Sequence, residues 1–394
     1  MLFKNKNSEE VMDKKFLLIC SYLPSVLNFR GKLLQAIQRQ GFEIHIIAPD
    51  LRLFKTEQQE LEALGYHIHE IPMQRTGTNP ISDLKTLWAT YRLIQKVKPD
   101  YVLSYTIKPV IYGTLAAWLA KVPHRFALIT GLGYAFQNVE QGSSRSFFQK
   151  LVHGLYQYAL LHSHKVFFQN PDDQQLFREL NLIDHNKPAV VVNGSGVNVQ
   201  DFTVVEPPKS HSGQLKVSFL LIARLLVDKG VREYAEAAKQ IKQSYPETEF
   251  HLVGWIDENP TAITQQELDE WIADGRLNYW GKLSDVRPAI EASSVYVLPS
   301  YREGTPRTVL EAMAMGRAII TTNAPGCKET VIHGDNGYLV EVRSVQSLLE
   351  AMTKLINAPE LIEKMSKKSR EIALNKYDVD AVNKHMLTEM GLLK

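Results

Sequence analysis

The chain has 394 residues, of which 44% are hydrophobic, 22% charged and 9% aromatic; 45 Lys+Arg against 43 Asp+Glu give a net charge of +2. Such composition and length exclude a disordered chain, a collagen-like repeat and a small disulfide scaffold, and they call for two domains rather than one core. The near-neutral balance supplies no field for nucleic acid, and the two distant cysteines, Cys20 and Cys327, point to a reducing compartment without a cysteine metal cluster.

Residues 1–13 are polar and charged and read as a flexible N-terminus. The first apolar run, Phe16–Cys20, is too short for a signal peptide, and no run approaches the ~20 apolar residues of a spanning helix. The protein therefore reads as soluble or peripheral, and cytoplasmic. Strands are predicted at Phe16–Cys20, Glu43–Ala48, Tyr66–Ile71, Tyr101–Ser104, Arg125–Ile129, Lys165–Gln169 and Ala189–Val192, with helices at Gly31–Arg39 and Tyr112–Ala120. This alternation implies parallel strands with right-handed crossovers, a doubly wound α/β sheet.

Two strand ends in this half are candidates for a ligand cleft: Lys108 in Ser104–Pro109, and Thr130, Gly131 and Gly133 in Thr130–Tyr134. A simple turn is the alternative for each. The stretch 146–161 carries Phe148, Leu151, Val152, Leu155 and Ala159 at helical spacing beside Arg145 and Lys150, which suits either a core helix or a membrane-surface helix. His67 and His69 share one face of a strand, and no further ligand is evident in the sequence around them; His162 and His164 suit structural or solvated roles.

Asp201–Gly213, with Pro207 and Pro208, has linker composition, and the alternation restarts beyond it. Strands are predicted at Val217–Ala223, Glu249–Val253, Leu277–Trp280, Val295–Leu298 and Ala318–Thr321, and helices at Val231–Gln243, Asp285–Glu291 and Thr308–Met315. Two such units place a site in a cleft outside the carboxyl ends of their strands.

Ser300–Glu311 directly follows a predicted strand. Thr305 is expected as N-cap and Pro306 at the first helical position, which leaves the amides of Arg307 and Thr308 free for a phosphate. Glu303 in the loop and Glu311 inside the helix could then hold the hydroxyls of a sugar and a ribose. Arg224 and Lys229 follow the strand ending at Ala223, where two cations can neutralise a departing diphosphate without a metal. Asp378-Val379-Asp380 is the chain's one Asp-x-Asp and lies in a helical context, so it reads as surface.

With these motifs the chain resembles the retaining glycosyltransferases of GT-B architecture, family 4: two Rossmann-like domains facing each other across a cleft. The resemblance rests on Arg224 through Lys229-Gly230, on Tyr279–Leu283, on Pro299 to Glu311 with seven residues between Glu303 and Glu311, and on Asn193–Phe202. Tyr105–Pro109 and Thr130–Phe136 are similar to a bacterial subgroup that extends polyprenyl-diphosphate-linked glycans, N-acetylgalactosaminyltransferases acting on a bacillosamine-like lipid among them.

The resemblance implies an acceptor-binding domain at 14–203, a nucleotide-sugar-binding domain at 204–375 and a C-terminal helix at 376–394 that crosses back to the first domain. It implies a UDP-sugar donor, a polyprenyl-diphosphate-linked saccharide acceptor, no metal and no cofactor, at the inner face of the cell membrane. Arg224 and Lys229 would hold the diphosphate, Glu311 the ribose and Glu303 the sugar, with Leu283 and residues Gly304, Thr305, Pro306, Arg307 and Thr308 completing the donor site. Where many members carry a His, this chain has Ile107 and Lys108. A UDP-sugar epimerase and a non-catalytic nucleotide-sugar-binding subunit are the rival readings.

Overall fold

A computed structural model describes residues 14–74, 79–132, 143–209, 213–257 and 259–393, apart from the side chains of 143–148. The chain divides into two compact units, one of Met1–Phe167, Phe177–Val190 and Leu387–Lys394, the other of Phe168–Leu176 and Val191–Met386.

In the first, strands β1 (Lys15–Ile19), β2 (Glu43–Ala48), β3 (His67–Glu70), β4 (Tyr101–Tyr105), β5 (His124–Ile129), β6 (Lys165–Phe168) and β7 (Ala189–Val191) lie in the order β3-β2-β1-β4-β5-β6-β7. Pairing is parallel from β3 through β5. Helices α1 (Pro24–Gln38), α2 (Lys55–Ala63), α3 (Pro80–Val97), α4 (Thr114–Leu119), α5 (Ser143–Leu161) and α6 (Pro171–Glu179) form the crossovers. The near-continuous apolar runs Phe16–Ile19 and Val102–Leu103 are buried, as strands covered on both faces must be.

The second unit repeats the plan. Strands β8 (Ser218–Ile222), β9 (Glu249–Val253), β10 (Asn278–Tyr279), β11 (Val295–Leu298), β12 (Ala318–Thr322) and β13 (Gly337–Val340) are ordered β10-β9-β8-β11-β12-β13 and parallel throughout. Helices α7 (Val231–Ser244), α8 (Gln265–Ala273), α9 (Arg287–Glu291), α10 (Arg307–Ala314), α11 (Val345–Asn357), α12 (Pro359–Lys376) and α13 (Val379–Glu389) complete the chain. One core packs α7 and α11 on one face of this sheet, around Phe219, Leu221, Tyr234, Phe250 and Met352; the other packs α10 around Leu220, Tyr296, Leu310 and Met313.

Two parallel α/β sheets are as the alternation predicts. The helix predicted at Tyr112–Ala120 is α4, entered through one wider helical turn at Pro109–Gly113. Helices α2, α3, α6, α8, α11 and α12 and strand β13 were not read from the sequence. For α8 the signal was there: Thr264 and Glu267 form a complete capping box. Asp378 is more than a surface carboxylate, since its Oδ1 accepts from the amides of Asp380 and Ala381 and so caps the start of α13.

The segment after Val191 is fastened by two arginines. Arg317 is fully buried; its Nε donates to the Ile290 carbonyl at 2.9 Å and its Nη1 to the Val205 carbonyl at 2.7 Å. Burial pushes this guanidinium down to about 10. Arg370 Nη1 likewise donates to the carbonyls of Phe202 (2.9 Å) and Ala314 (2.7 Å). Backbone oxygens thus hold the buried Arg317 and the half-buried Arg370, while Arg317 Nη2 stays buried without a hydrogen-bond partner.

Gly230 ends the turn Val227–Lys229 at φ +70°, and a Cβ built there would stand 2.2 Å from the Pro299 carbonyl oxygen. Gly230→Ala therefore carries both the left-handed penalty and a backbone clash, about 2–5 kcal/mol together. Gly275→Ala, with φ +74° and open space around it, carries the first alone, about 1–2 kcal/mol. Denaturant unfolding of the two variants checks the difference; equal losses would refute the close approach of the two loops.

Candidate active site

The second sheet changes direction between β8 and β11: the chain leaves β8 for β9 on one side and β11 for β12 on the other. The loops after these two paired strands, 223–230 and 299–306, therefore lie side by side at their carboxyl ends. Tyr301 N donates to the Asp228 carbonyl at 2.8 Å and Ser300 Oγ to the same oxygen at 3.1 Å, which locks one loop to the other.

Lys229 and Glu303 meet there. Lys229 Nζ donates to Glu303 Oε1 at 2.5 Å, both side chains being mostly buried, and Ser300 Oγ donates to the same oxygen at 2.8 Å. Burial by itself would lower the Lys229 ammonium; the charge and hydrogen bond of Glu303 outweigh it and hold the group above its ordinary value. Cys327 lies close enough to feel this charge: burial first, then Glu303, pushes its thiol up to about 12, so it stays protonated and unreactive. Arg224 is more open and pairs through Nη1 with Asp257 Oδ2 at 3.0 Å.

The loop carrying Glu303 is braced from behind. Asn170 Nδ2 donates to the carbonyls of Glu303 (3.2 Å) and Gly304 (2.9 Å), and Arg302 pairs with the fully buried carboxylate of Asp173. Glu303 N donates to the Pro325 carbonyl at 3.0 Å, and Gly326, at φ +82°, lets that segment approach: a Cβ there would sit 2.1 Å from the Glu303 oxygen. Asn170, Asp173 and Asp257 were not singled out in the sequence. They act through long-range contacts, and no local motif marks them.

Thr305 is not the N-cap. Its Oγ1 donates to the Gln169 carbonyl at 2.9 Å, and Pro306, with extended backbone, takes the cap position ahead of Arg307. No side chain caps α10, so its first-turn amides keep the partial positive charge that suits an anion. Thr308 Oγ1 shares a 2.6 Å hydrogen bond with Tyr296 OH, which also donates to the Ile222 carbonyl at 3.1 Å. The start of α10 is thereby tied to the end of β8. Glu311 is buried one turn further in and accepts from Arg307 Nε at 2.7 Å. Burial raises its carboxyl, with Arg307 pulling the other way. Leu283 is half-buried against the α10 core, and Lys282 Nζ stands 4.9 Å over the exposed ring of Trp255.

In the first unit Lys108 is not a lone cation. Its Nζ donates to Asp83 Oδ1 of α3 at 2.7 Å, with both side chains mostly buried, and Tyr112 OH donates to Asp83 Oδ2 at 2.9 Å. Thr130 and Gly131 follow β5, half-buried; Gly133 lies outside the described residues. Thr106, ending β4 at φ +70°, hydrogen-bonds Ser21 across from β1 at 2.9 Å. His67 and His69 do acquire neighbours: β2 pairs in register with β3 and brings Glu43 and His45 beside them, a relation that only strand pairing creates.

Residues 24–170 match the family described as glycosyl transferase 4-like, and residues 216–358 the family of glycosyl transferases group 1. The chain is 29% identical over 371 residues to the N,N'-diacetylbacillosaminyl-diphospho-undecaprenol alpha-1,3-N-acetylgalactosaminyltransferase of Campylobacter jejuni, covering 92% of this chain and 94% of that one. It is 29% identical over 321 residues to the UDP-Gal:alpha-D-GlcNAc-diphosphoundecaprenol alpha-1,3-galactosyltransferase of Escherichia coli, covering 78% and 79%. Among solved structures, a Rickettsia africae glycosyltransferase superposes with a TM-score of 0.75 at 22% identity, over 97% of this chain and 99% of that one. Anabaena Alr3699/HepE in complex with UDP and glucose does so with a TM-score of 0.73 at 17% identity, over 96% and 100%. The two matched families, the relatives that span nearly the whole chain and the paired parallel sheets agree: this chain belongs to the GT-B glycosyltransferases of family 4.

Proposed function

We propose that the chain moves a hexose or N-acetylhexosamine from a UDP-sugar to a polyprenyl-diphosphate-linked saccharide, with retention of configuration and without a metal at the diphosphate, in bacterial surface or protein-linked glycan assembly. The lipid-linked acceptors in the names of the Campylobacter and Escherichia relatives support the acceptor class, and none of the relatives above is an epimerase. The observation that carries the reading is the Lys229–Glu303 pair beside the uncapped start of α10.

Residues 204–375 form the donor module in this reading. Glu303 and Asp257 hold Lys229 and Arg224 in place of phosphate oxygens until the donor arrives. As the bond from the anomeric carbon to phosphate breaks, negative charge grows on the diphosphate, and Lys229, Arg224 and the amides at Gly304, Thr305, Arg307 and Thr308 neutralise it. Pro306 has no amide to offer and presets the turn. Glu303, released from Lys229, accepts from sugar hydroxyls, Glu311 from the ribose, and Leu283 packs at the base. The phosphate oxygen that leaves the sugar takes the proton of the acceptor hydroxyl as the new glycosidic bond forms on the same face, so no protein base is required.

Residues 14–203 form the acceptor module, with the Lys108–Asp83 pair, Thr130, Gly131 and Gly133 as its polar candidates. Among the described residues no helix is long and apolar enough to cross a membrane. α5 buries Val152, Tyr156, Ala159 and Leu160 but leaves Leu151, Tyr158 and Leu161 exposed beside Lys150, so one helix serves the core and offers an apolar face. On α3, Ile81, Leu84 and Trp88 are exposed at helical spacing. These faces support peripheral attachment to the inner leaflet.

Lys229→Ala lowers transfer at least ~100-fold, the scale of one lost charge-stabilising donor. The variant stays folded by circular dichroism, and Lys229→Ala with Glu303→Gln removes the stranded carboxylate should stability fall. Unchanged turnover rejects the role. Product anomers read by NMR keep the donor's configuration, and turnover persists in excess EDTA; inversion, or loss restored by Mg2+ or Mn2+, refutes the respective statement. Leu151→Glu with Leu161→Glu lowers co-sedimentation with anionic liposomes several-fold while UDP binding is unchanged.

A further inference from the structure

At the amino ends of β2 and β3, far along the strands from the loops discussed above, four side chains of the first unit converge on one face. His45 and His67 pair in register, and Glu43 lies two residues before His45. Glu43 Oε1 stands 2.9 Å from His45 Nε2 and 3.1 Å from His67 Nε2, and one ligand atom from each of the three residues lies within 4.8 Å of the others. Among the described residues this is the single group of three or more His, Cys, Asp or Glu side chains so arranged.

Three details separate it from a chance surface cluster. His45 is 5% exposed, and its Nε2 is buried without an aligned hydrogen bond although the carboxylate oxygen is close by. The ring is held in place: it stacks on His67 at 4.8 Å between centroids and on His69 at 5.3 Å, nearly parallel to both. Its other nitrogen, Nδ1, hydrogen-bonds His69 Nε2 at 3.0 Å. A ring whose far nitrogen is fixed by a partner, leaving the near one to converge with a carboxylate and a second imidazole, is the arrangement by which proteins orient a ligating histidine.

We propose that Glu43, His45 and His67 bind one first-row transition dication of the zinc class, with His69 orienting His45 and water in the remaining position. Two imidazoles and one carboxylate suit Zn2+ and its neighbours, whereas Mg2+ and Ca2+ prefer all-oxygen shells. Separations of about 3 Å from Glu43 to each imidazole, with all three atoms within 4.8 Å of one another, fit three ligands each ~2.0–2.2 Å from a shared centre after a small adjustment of the more exposed His67 and Glu43. On binding, His45 gives its Nε2 lone pair to the metal and turns its proton to Nδ1, where His69 accepts it. Lys15 Nζ, 3.6 Å from Glu43 Oε2, opposes the cation from the other carboxylate oxygen and moderates its affinity. The ion has no part in glycosyl transfer; it clips β3, the edge strand, to β2.

The test uses the full chain, free of affinity tag and stripped with chelator, titrated with Zn2+ by calorimetry and with Co2+ by visible absorption. Wild type takes up one equivalent of Zn2+, develops the d–d bands of a nitrogen-oxygen Co2+ site, and unfolds at higher temperature with the metal. His67→Ala, at a side chain 54% exposed, binds at least about tenfold more weakly and loses the thermal shift, while binding of UDP is unchanged. Glu43→Gln behaves likewise and serves should His67→Ala prove unstable. Absence of stoichiometric uptake by wild type overturns the proposal, as does equal uptake by both variants.

Discussion

The meeting of Lys229 and Glu303 depends on one topological constraint, the parallel pairing of β8 and β11 at the place where the strand order reverses. Elsewhere in a doubly wound sheet a crossover covers each strand end; here the chain departs in opposite directions and covers neither. The two loops left exposed satisfy their polar groups on each other. The Asp228 carbonyl accepts from both Tyr301 and Ser300, and Gly230 lets the backbones close to a distance that a methyl group would prevent. Lys229 and Glu303, 74 residues apart in sequence, meet as a consequence.

That pair has the properties expected of a group awaiting a phosphate. A buried ammonium and carboxylate together gain little net stability, because desolvation offsets most of their attraction, yet breaking one partner away costs about 3–5 kcal/mol. In the proposed function, exchange of the carboxylate for a diphosphate oxygen keeps the cation compensated, so the donor enters without exposing a bare charge. Arg224, more open and tied to Asp257, is the more readily released of the two cations.

The first unit uses the same logic at both ends of its sheet. β1 and β4 pair at its own reversal, where Ser21 meets Thr106 and Lys108 meets Asp83. At the opposite, amino ends of β2 and β3 sits the histidine cluster.

Much of this was legible in sequence. Glu249–Val253 and Val295–Leu298 form strands at the predicted bounds, because short apolar runs closed by polar turns have few other stable fates in an alternating α/β chain. Strand–loop–helix spacing likewise sufficed to nominate Arg224, Lys229, Glu303 and Glu311. Local pattern could not say who faces whom. It made Thr305 a cap when the Gln169 carbonyl claims its hydroxyl, and it left Lys108 alone when Asp83 was waiting on α3. It found His67 and His69 without companions, since Glu43 and His45 become neighbours only through strand register. Sequence by itself determined the elements and the residue types at their ends, which follow from periodicity and turn chemistry; tertiary structure alone decided the partners, because pairing across a sheet joins residues that the chain keeps far apart.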